Sequence, residues 1–525
     1  MASTVMVWSR GGASTKVSCL QPMPRVISRR VLSTDAADGV LNGPSGLLSP
    51  RTDIVLERAE GDAVFSAVEG PVSQYQRTVT VEPVGSDQVE IIERFDYRLA
   101  IPVWRVLFTV PFSRAIRQGR EWPWWHPPDR FTARQARIVA LLATLAVIAG
   151  FLGTLLGQTI TFAREEFGES KSAQGIALSL IRLSILITVA VAAFADRRGR
   201  RRTLLYAAAG AILASAATSL VANLATLAAV QATSRGLSHA MALLIFVFAL
   251  EEAPAGSRAF VASMLGLAAG LGSGIAVGSV PLADLGDAAW RLSFLLALAG
   301  MPLVLFAARR LPESQRFETA RRQPRTRPPQ QYRFRLVLLA VTSFAVLLFA
   351  APASQLQNDF LRDERGFSAT KITVFTLLTA WTAGPGMLIA GKLADLRGRR
   401  VLASVGVSGG ALFAFWHFTL AGWPMWVLIA IGTLMTATTV PTLGVYRAEM
   451  FGTIRRSESN GFLGVAGVAG SAAGLAAAGF MADAWGYGTA FAILIAGPIL
   501  VAILVLLYYP ETTRRSLEEL NPEDA

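Results

Sequence analysis

The chain has 525 residues, of which 53% are hydrophobic and only 16% charged, and its mean hydropathy is +0.46. That composition excludes an ordinary soluble globular protein and puts membrane residence first. The formal charge of +13 would suit nucleic-acid binding, but in the apolar region the arginines gather in particular connecting segments between the apolar stretches, so no nucleic-acid partner is expected.

In chain order, residues 1–50 contain the only cysteine, Cys19, and show neither the apolar core of a signal peptide nor a periodic pattern. They are expected to be a disordered tail without a disulfide framework. Residues 51–136 read as a cytoplasmic extension. Runs such as RTVTVEP (77–83) and VEIIERF (89–95) are β-prone and alternate with Gly and Pro, which admits a small β-structured piece or a loose one. Residues 97–118 mix apolar side chains with arginines and contain Pro102 and Pro111. This stretch is too charged to span a bilayer. It reads either as an interfacial segment anchored by WPWWHPP (122–128) or as a helix packed on cytoplasmic loops.

From residue 137 onward the sequence falls into apolar stretches of roughly 20 residues, each long enough as a helix to cross ~30 Å of hydrocarbon. They lie near 137–160, 173–194, 203–222, 225–250, 259–280, 291–310, 335–357, 371–393, 400–420, 425–446, 459–482 and 488–509. The expected fold class is an all-α membrane protein of twelve transmembrane helices, because helices satisfy their own backbone groups in lipid. The basic connections DRRGRRR (196–202), RRLPESQRFETARRQPRTR (309–327), LRGRR (396–400), TIRRSES (453–459) and ETTRRSLEEL (511–520) all fall on one side. This positive-inside bias predicts that both termini are cytoplasmic.

The two halves of the membrane region repeat each other. TFAREEFG (161–168) returns as DFLRDERG (359–366), ADRRGRRR (195–202) as ADLRGRRV (394–401), EEAPAGSR (251–258) as EMFGTIRR (449–456), and LPESQR (311–316) as YPETTR (509–514). The chain is therefore read as two pseudo-symmetric six-helix bundles, 137–310 and 335–509, joined by a linker at 311–334 and followed by a tail at 510–525.

These motifs resemble the major facilitator superfamily, whose hallmark is G-x-x-x-D-x-x-G-R-[KR] between the second and third helices of each half. Gly391, Asp395, Gly398, Arg399 and Arg400 fit it in the second half. Asp196, Gly199, Arg200 and Arg201 fit in the first, with Ala192 in place of the first glycine. The pattern is most similar to the sugar-porter and organic-ion branch. Glu251, Pro254 and Arg258 match its E-x-x-P-x-x-x-R motif, with Glu449 and Arg456 as the second copy. Pro312-Glu313-Ser314 and Pro510-Glu511-Thr512 match its PES and PET motifs. The resemblance implies a gate in which these acids and arginines pair across cytoplasmic helix ends in one global state and separate in the other; the alternative is that the arginines only set topology.

Charges inside the spans cost ~2.5–3.5 kcal/mol unless they face protein or water. Arg182 and Arg235 are such charges, and His239 lies on the Arg235 face at i+4. The resemblance implies that the fourth helix faces the central cavity and that its arginine commonly pairs with a first-helix aspartate. Leu152 stands at that position here. An unpaired cavity arginine points to an anionic substrate group; the alternative is that Arg235 binds backbone carbonyls or water. Gln158, Gln355 and Asn358 are further polar candidates for the cavity or its outer vestibule, and His417 is expected to face lipid or to pack. The glutamine- and asparagine-rich seventh helix of sugar porters is absent. Gly266, Gly270, Gly274 and Gly278 in the fifth span, and Ala466, Gly470, Gly474 and Ala478 in the eleventh, predict stripes of close helix approach.

The expected function is gradient-driven transport of a small organic solute, anionic or, as the alternative, a sugar, by a monomer in the plasma membrane and with a proton or other ion as coupling partner. A non-transporting sensor or scaffold is the rival. No nucleophile–base pair, metal-ligand cluster or phosphate-binding loop appears at recognisable spacing, so neither an enzyme nor a cofactor is expected.

Overall fold

The computed structural model describes residues 25–521 except 44–45, 62, 85–86, 120–121, 124, 170–176, 179, 287, 315–330, 358–359, 362–363, 368, 453–454, 514 and 516. Most of the 311–334 linker and Asn358 therefore lie outside the described residues, and at Asp196 only the backbone is described. The chain divides into two compact units, one ending at His126 and including Arg130–Arg137, the other formed by Pro127–Asp129 and everything from Ile138 onward.

In the first unit, β1 (Arg25–Ser33), β2 (Leu56–Gly61), β3 (Val64–Glu69), β4 (Val72–Pro83) and β5 (Gln88–Leu99) form one antiparallel sheet in the order β1-β5-β4-β3-β2. Period-two alternation turns Ile91, Glu93, Phe95, Tyr97 and Leu99 of β5 inward. The helices α1 (Thr34–Asn42) and α2 (Arg105–Gln118) cover them, α2 through Phe112, Ala115 and Ile116. Two buried arginines sit among these side chains. Arg77 bonds Glu57 at 2.7 Å, Glu93 at 3.3 Å and the carbonyls of Leu47 and Ser49, and lies 4.0 Å over the Phe65 ring. Arg51 holds Asp53 at 2.6 Å and the carbonyls of Ile116 and Gly119 at the end of α2.

Three sequence expectations change here. The chain as a whole is not all-α, since the extension carries a five-stranded sheet. Residues 25–42, assigned to a disordered tail, form β1 and α1: RVISRRVLS lacks clean alternation, but its backbone pairs with β5 from Arg25↔Asp96 to Ser33↔Gln88. Partnered hydrogen bonding overrides the polar composition. Of the stretch at 97–118, Tyr97–Leu99 completes β5, and α2 packs on the sheet rather than on loops, leaving Val106, Leu107 and Val110 exposed.

The second unit is helical. Its α-helices are α3 (Ala133–Glu166), α4 (Ile185–Arg198), α5 (Arg200–Ala217), α6 (Leu224–Glu252), α7 (Arg258–Gly278), α8 (Trp290–Leu295), α9 (Met301–Arg310) and α10 (Gln331–Gln355) in the first part. There follow α11 (Ala369–Ala380), α12 (Ala383–Arg397), α13 (Arg400–Thr419), α14 (Trp423–Ala437), α15 (Thr439–Glu449), α16 (Arg456–Leu494) and α17 (Ala496–Tyr508). Among the described residues eleven helices are long and apolar enough to cross a membrane. The span expected near 173–194 appears as the shorter apolar stretch Leu180–Ala195. Within α16, Gly486 at φ 80° breaks the helix between the last two expected spans, a conformation only glycine adopts without penalty.

Helices of the two sequence halves pack on each other: α4 on α16, and α12 and α15 on α7. Within each half, α5 lies on α6, α10 along α16, and α13 on α14. The glycines that allow close approach are only partly those expected. On α16, a Cβ at Gly470 or Gly474 would collide with the Phe344 or Leu348 carbonyl of α10. On α7, however, Gly270, Gly274 and Gly278 face open space, and Gly272 instead meets the Val147 carbonyl of α3, while Gly150 of α3 meets Ala269. The i+4 rule located a stripe but not the face that is used. Gly272→Leu and Gly470→Leu should each cost about 1–3 kcal/mol through overpacking, read as lower melting temperature and monodisperse yield. Gly274→Leu should match wild type.

Candidate functional site

Each half turns sharply between two helices at a glycine with positive φ, Gly199 at 105° and Gly398 at 109°. The turn presents free N–H groups at the start of the next helix, where a carboxylate is favoured. Glu313 accepts from the N–H groups of Arg200 (3.1 Å) and Arg201 (3.0 Å). In the second half Glu511 does the same for Arg399 (3.0 Å) and Arg400 (3.3 Å). The glutamates of the PES and PET motifs are thus helix caps. The side chains of Arg201 and Arg400 donate to the Ala308 and Leu506 carbonyls, tying each turn to the last helix of its half.

The first arginine after each glycine turns inward instead. Arg200 pairs with Glu251 at the end of α6, and Arg399 pairs with Glu449 at the end of α15 and with Asp395 at 2.7 Å. Each of the two glutamates also holds an arginine from the other half. Arg456 donates to Glu251 at 2.8 Å and Arg258 to Glu449 at 3.4 Å. Asp395 reaches across as well, accepting from the Phe260 N–H at the start of α7 at 3.1 Å. All the side chains of these pairs are at most 1% exposed, so at this end the halves are joined and dry. Gly391 is needed for that closeness, because a Cβ there would strike Ser263 of α7. Ala192, buried at the equivalent place, fits with its methyl.

The sequence reading quoted Ser314 and Thr512 without assigning them work. Ser314 donates to Glu251 at 2.9 Å, and Thr512 accepts from Arg399 at 2.9 Å. Their position directly after each capping glutamate was the available signal.

Farther along the helices the polar side chains change character. Arg182 donates to Ser471 of α16 and, at 3.1 Å, to Gln355 of α10. Arg235 on α6 gives its one described hydrogen bond to the Gly153 carbonyl at 3.1 Å, which is the contact its alternative reading requires. His239 lies one turn from Arg235 on the same face of α6 and is exposed. Among the described residues neither arginine has a carboxylate partner. Arg182 and Gln355 are therefore brought together, while Arg235 and His239 share one face of α6. Gln158 is half-buried on α3 and makes no hydrogen bond among the described residues. His417 does not face lipid: it is fully buried, stacked on Phe375 at 5.5 Å and edge-on to Phe360.

A helical unit with eleven described helices long and apolar enough to span a membrane, and a twofold-repeated set of buried ion pairs between its halves, is what these features define. Residues 336–524 match the family model described as the Major Facilitator Superfamily. That match is confined to those residues, and the likeness of the rest of the chain to solved structures is one of fold. Among solved structures, the proton:xylose symporter XylE bound to 6-bromo-6-deoxy-D-glucose superposes with a TM-score of 0.65 at 15% identity, covering 74% of this chain and 98% of XylE. The human organic anion transporter MFSD10 (TETRAN) gives 0.57 at 17% identity, covering 72% and 100%. No curated protein matches the sequence.

Two outcomes test the latch. A double-mutant cycle of Arg456→Ala and Glu251→Ala should show a coupling of about 0.5–3 kcal/mol in the stability of the purified protein; additive losses would mean that the pair is incidental. Partial burial pulls the Glu511 carboxyl upward, but the Thr513 hydroxyl and the N–H groups of Arg399, Arg400 and Thr513 together hold it below its usual value. A depressed carboxylate stabilises the fold above its unfolded pKa of about 4.3 and loses that contribution as pH falls through the folded value. Glu511→Gln should accordingly lower the melting temperature at neutral pH and flatten its decline toward acid.

Proposed function

We propose that this protein is a gradient-driven transporter of a small organic anion, working by alternating access between twelve helices arranged as two six-helix bundles. The latch is the cytoplasmic gate, both termini are cytoplasmic, and the membrane is the plasma membrane. A proton or other ion is the coupling partner, and the functional unit is a monomer. The carrying observation is the pair Arg182 and Arg235, two cations in the spans with no carboxylate partner among the described residues. A buried cation without a counter-charge is costly, and a solute carboxylate or phosphate would supply that charge through strong charge-assisted hydrogen bonds. The likeness to MFSD10, an organic anion transporter, agrees with this reading.

A sugar is the second reading, supported by the likeness to XylE and by Gln355 beside Arg182. A non-transporting sensor has less support, since both copies of the latch are complete in their acids and arginines.

Uptake of organic acids and of sugars into proteoliposomes decides between them. Arg235→Ala should weaken anion uptake about 10–100-fold, the equivalent of one hydrogen-bonded charge. Anion transport unchanged by Arg235→Ala, or uptake confined to neutral sugars, would sink the anion reading.

A further inference from the structure

The α2 helix is packed on one side only. Phe112, Ala115 and Ile116 fill the core beneath it, with Phe108 against them, while Val106, Leu107 and Val110 are 83%, 66% and 54% exposed. Steps of three and four residues put side chains on one face of a helix. Such steps lead from Val106 to Val110, from Val110 to Arg114 and from Arg114 to Arg117, and both arginines are exposed. The uncovered face is thus apolar over its first half and cationic over its second. Residues 97–120 hold five arginines and no acid. The turn that opens the helix adds to the apolar half. The Trp104 N–H donates to the Pro102 carbonyl at 2.8 Å across Val103, whose φ of 68° makes this a γ-turn of the strained kind. A β-branched residue is rarely held there, and it leaves Val103 49% exposed at the head of α2.

Two constraints say what covers this face. Arg130 belongs to the same unit and donates to the Asp53 carbonyl at 2.9 Å, and it stands three residues before Ala133, where the first candidate span begins. The unit is therefore tethered at the point where the chain enters the bilayer, and a tethered contact needs little affinity of its own. The second constraint is charge, since exposed arginines without acids beside them suit lipid phosphates. From these positions we propose that α2 docks on an anionic lipid surface, with Val103, Val106, Leu107 and Val110 sunk into the headgroup boundary and Arg114 and Arg117 on lipid phosphates. One helix then serves as a core element on one side and a membrane contact on the other, and the five-stranded unit is held against the bilayer instead of swinging on its tether. This is independent of what the helical unit transports.

The test uses the full chain in nanodiscs of phosphatidylcholine, with or without phosphatidylglycerol. On a Cys19→Ser background, which removes the chain's single cysteine, Leu107→Cys carries a nitroxide whose relaxation by oxygen and by a water-soluble nickel chelate reads its depth. In the anionic discs this label should sit about 5–10 Å into the headgroup boundary. Val68→Cys is the control. Val68 is 60% exposed on β3 and its neighbour Ala67 packs into the core under α2, so Val68 is on the opposite face of the sheet and its label should stay in water. Combining Arg114→Gln with Arg117→Gln should lower the ratio of lipid-seated to water-exposed Leu107→Cys label about fivefold per arginine, while an unchanged Val68→Cys spectrum shows that the unit is still folded. A Leu107→Cys label that remains in water in the anionic discs overturns the proposal. So does a label shielded from both relaxants and broadened by a second spin, because another copy of the chain would then cover the face. A seated fraction that is the same in neutral discs and in the double variant also overturns it, because charge would then not select the surface.

Discussion

Everything at the closed end of the helical unit hangs on buried carboxylate–guanidinium contacts between the two halves. Glu251 and Glu449 are the centres, each held by one arginine of its own half and one of the other. Removing one member of a buried pair costs about 3–5 kcal/mol because the remaining charge is stranded. The geometry around them serves that constraint: Gly199 and Gly398 make the turns, Glu313 and Glu511 cap the helices that begin there, and Ser314 and Thr512 supply the remaining hydrogen bonds. Among the described residues none of these side chains hydrogen-bonds Arg182 or Arg235, so the paired and the unpaired arginines form separate sets.

The contrast between the two sets of arginines carries the functional reading. Arginines at the latch are paired with acids, whereas those deeper in the spans rest on hydroxyl, amide and carbonyl oxygens. Such neutral partners orient a guanidinium without cancelling its charge. A cation held in this way remains available to an anion that comes and goes, which a pre-paired arginine does not.

Much of this was legible in the sequence because it rests on short-range rules. The apolar runs matched eleven of the expected spans to within a few residues, and the repeat brought Glu251 with Arg258 and Glu449 with Arg456 into register before any contact was known. What the repeat could not give was the exchange of partners between copies, since Arg456 serves Glu251 and Arg258 serves Glu449. The failures have the same origin. Gly272 lies off the expected stripe, and nothing local distinguishes it from Gly270. β1 is specified by its pairing with β5 rather than by its own pattern, and Arg77 reads as a surface residue until Glu57 and Glu93 close around it.

The exchanged partners have a consequence for how the latch responds to force and to substitution. If the halves part, Glu251 still has Arg200 and Glu449 still has Arg399, so neither acid is left bare. Among the described residues separation gives up the contacts made by Arg456 and Arg258, the Asp395–Phe260 bond and the helix packing between the halves. Deleting any one central side chain, by contrast, removes a charge that two others were arranged around. The joint is therefore soft toward motion and brittle toward mutation, and a charge reversal in one half should be tolerated only when the matching position of the other half changes with it.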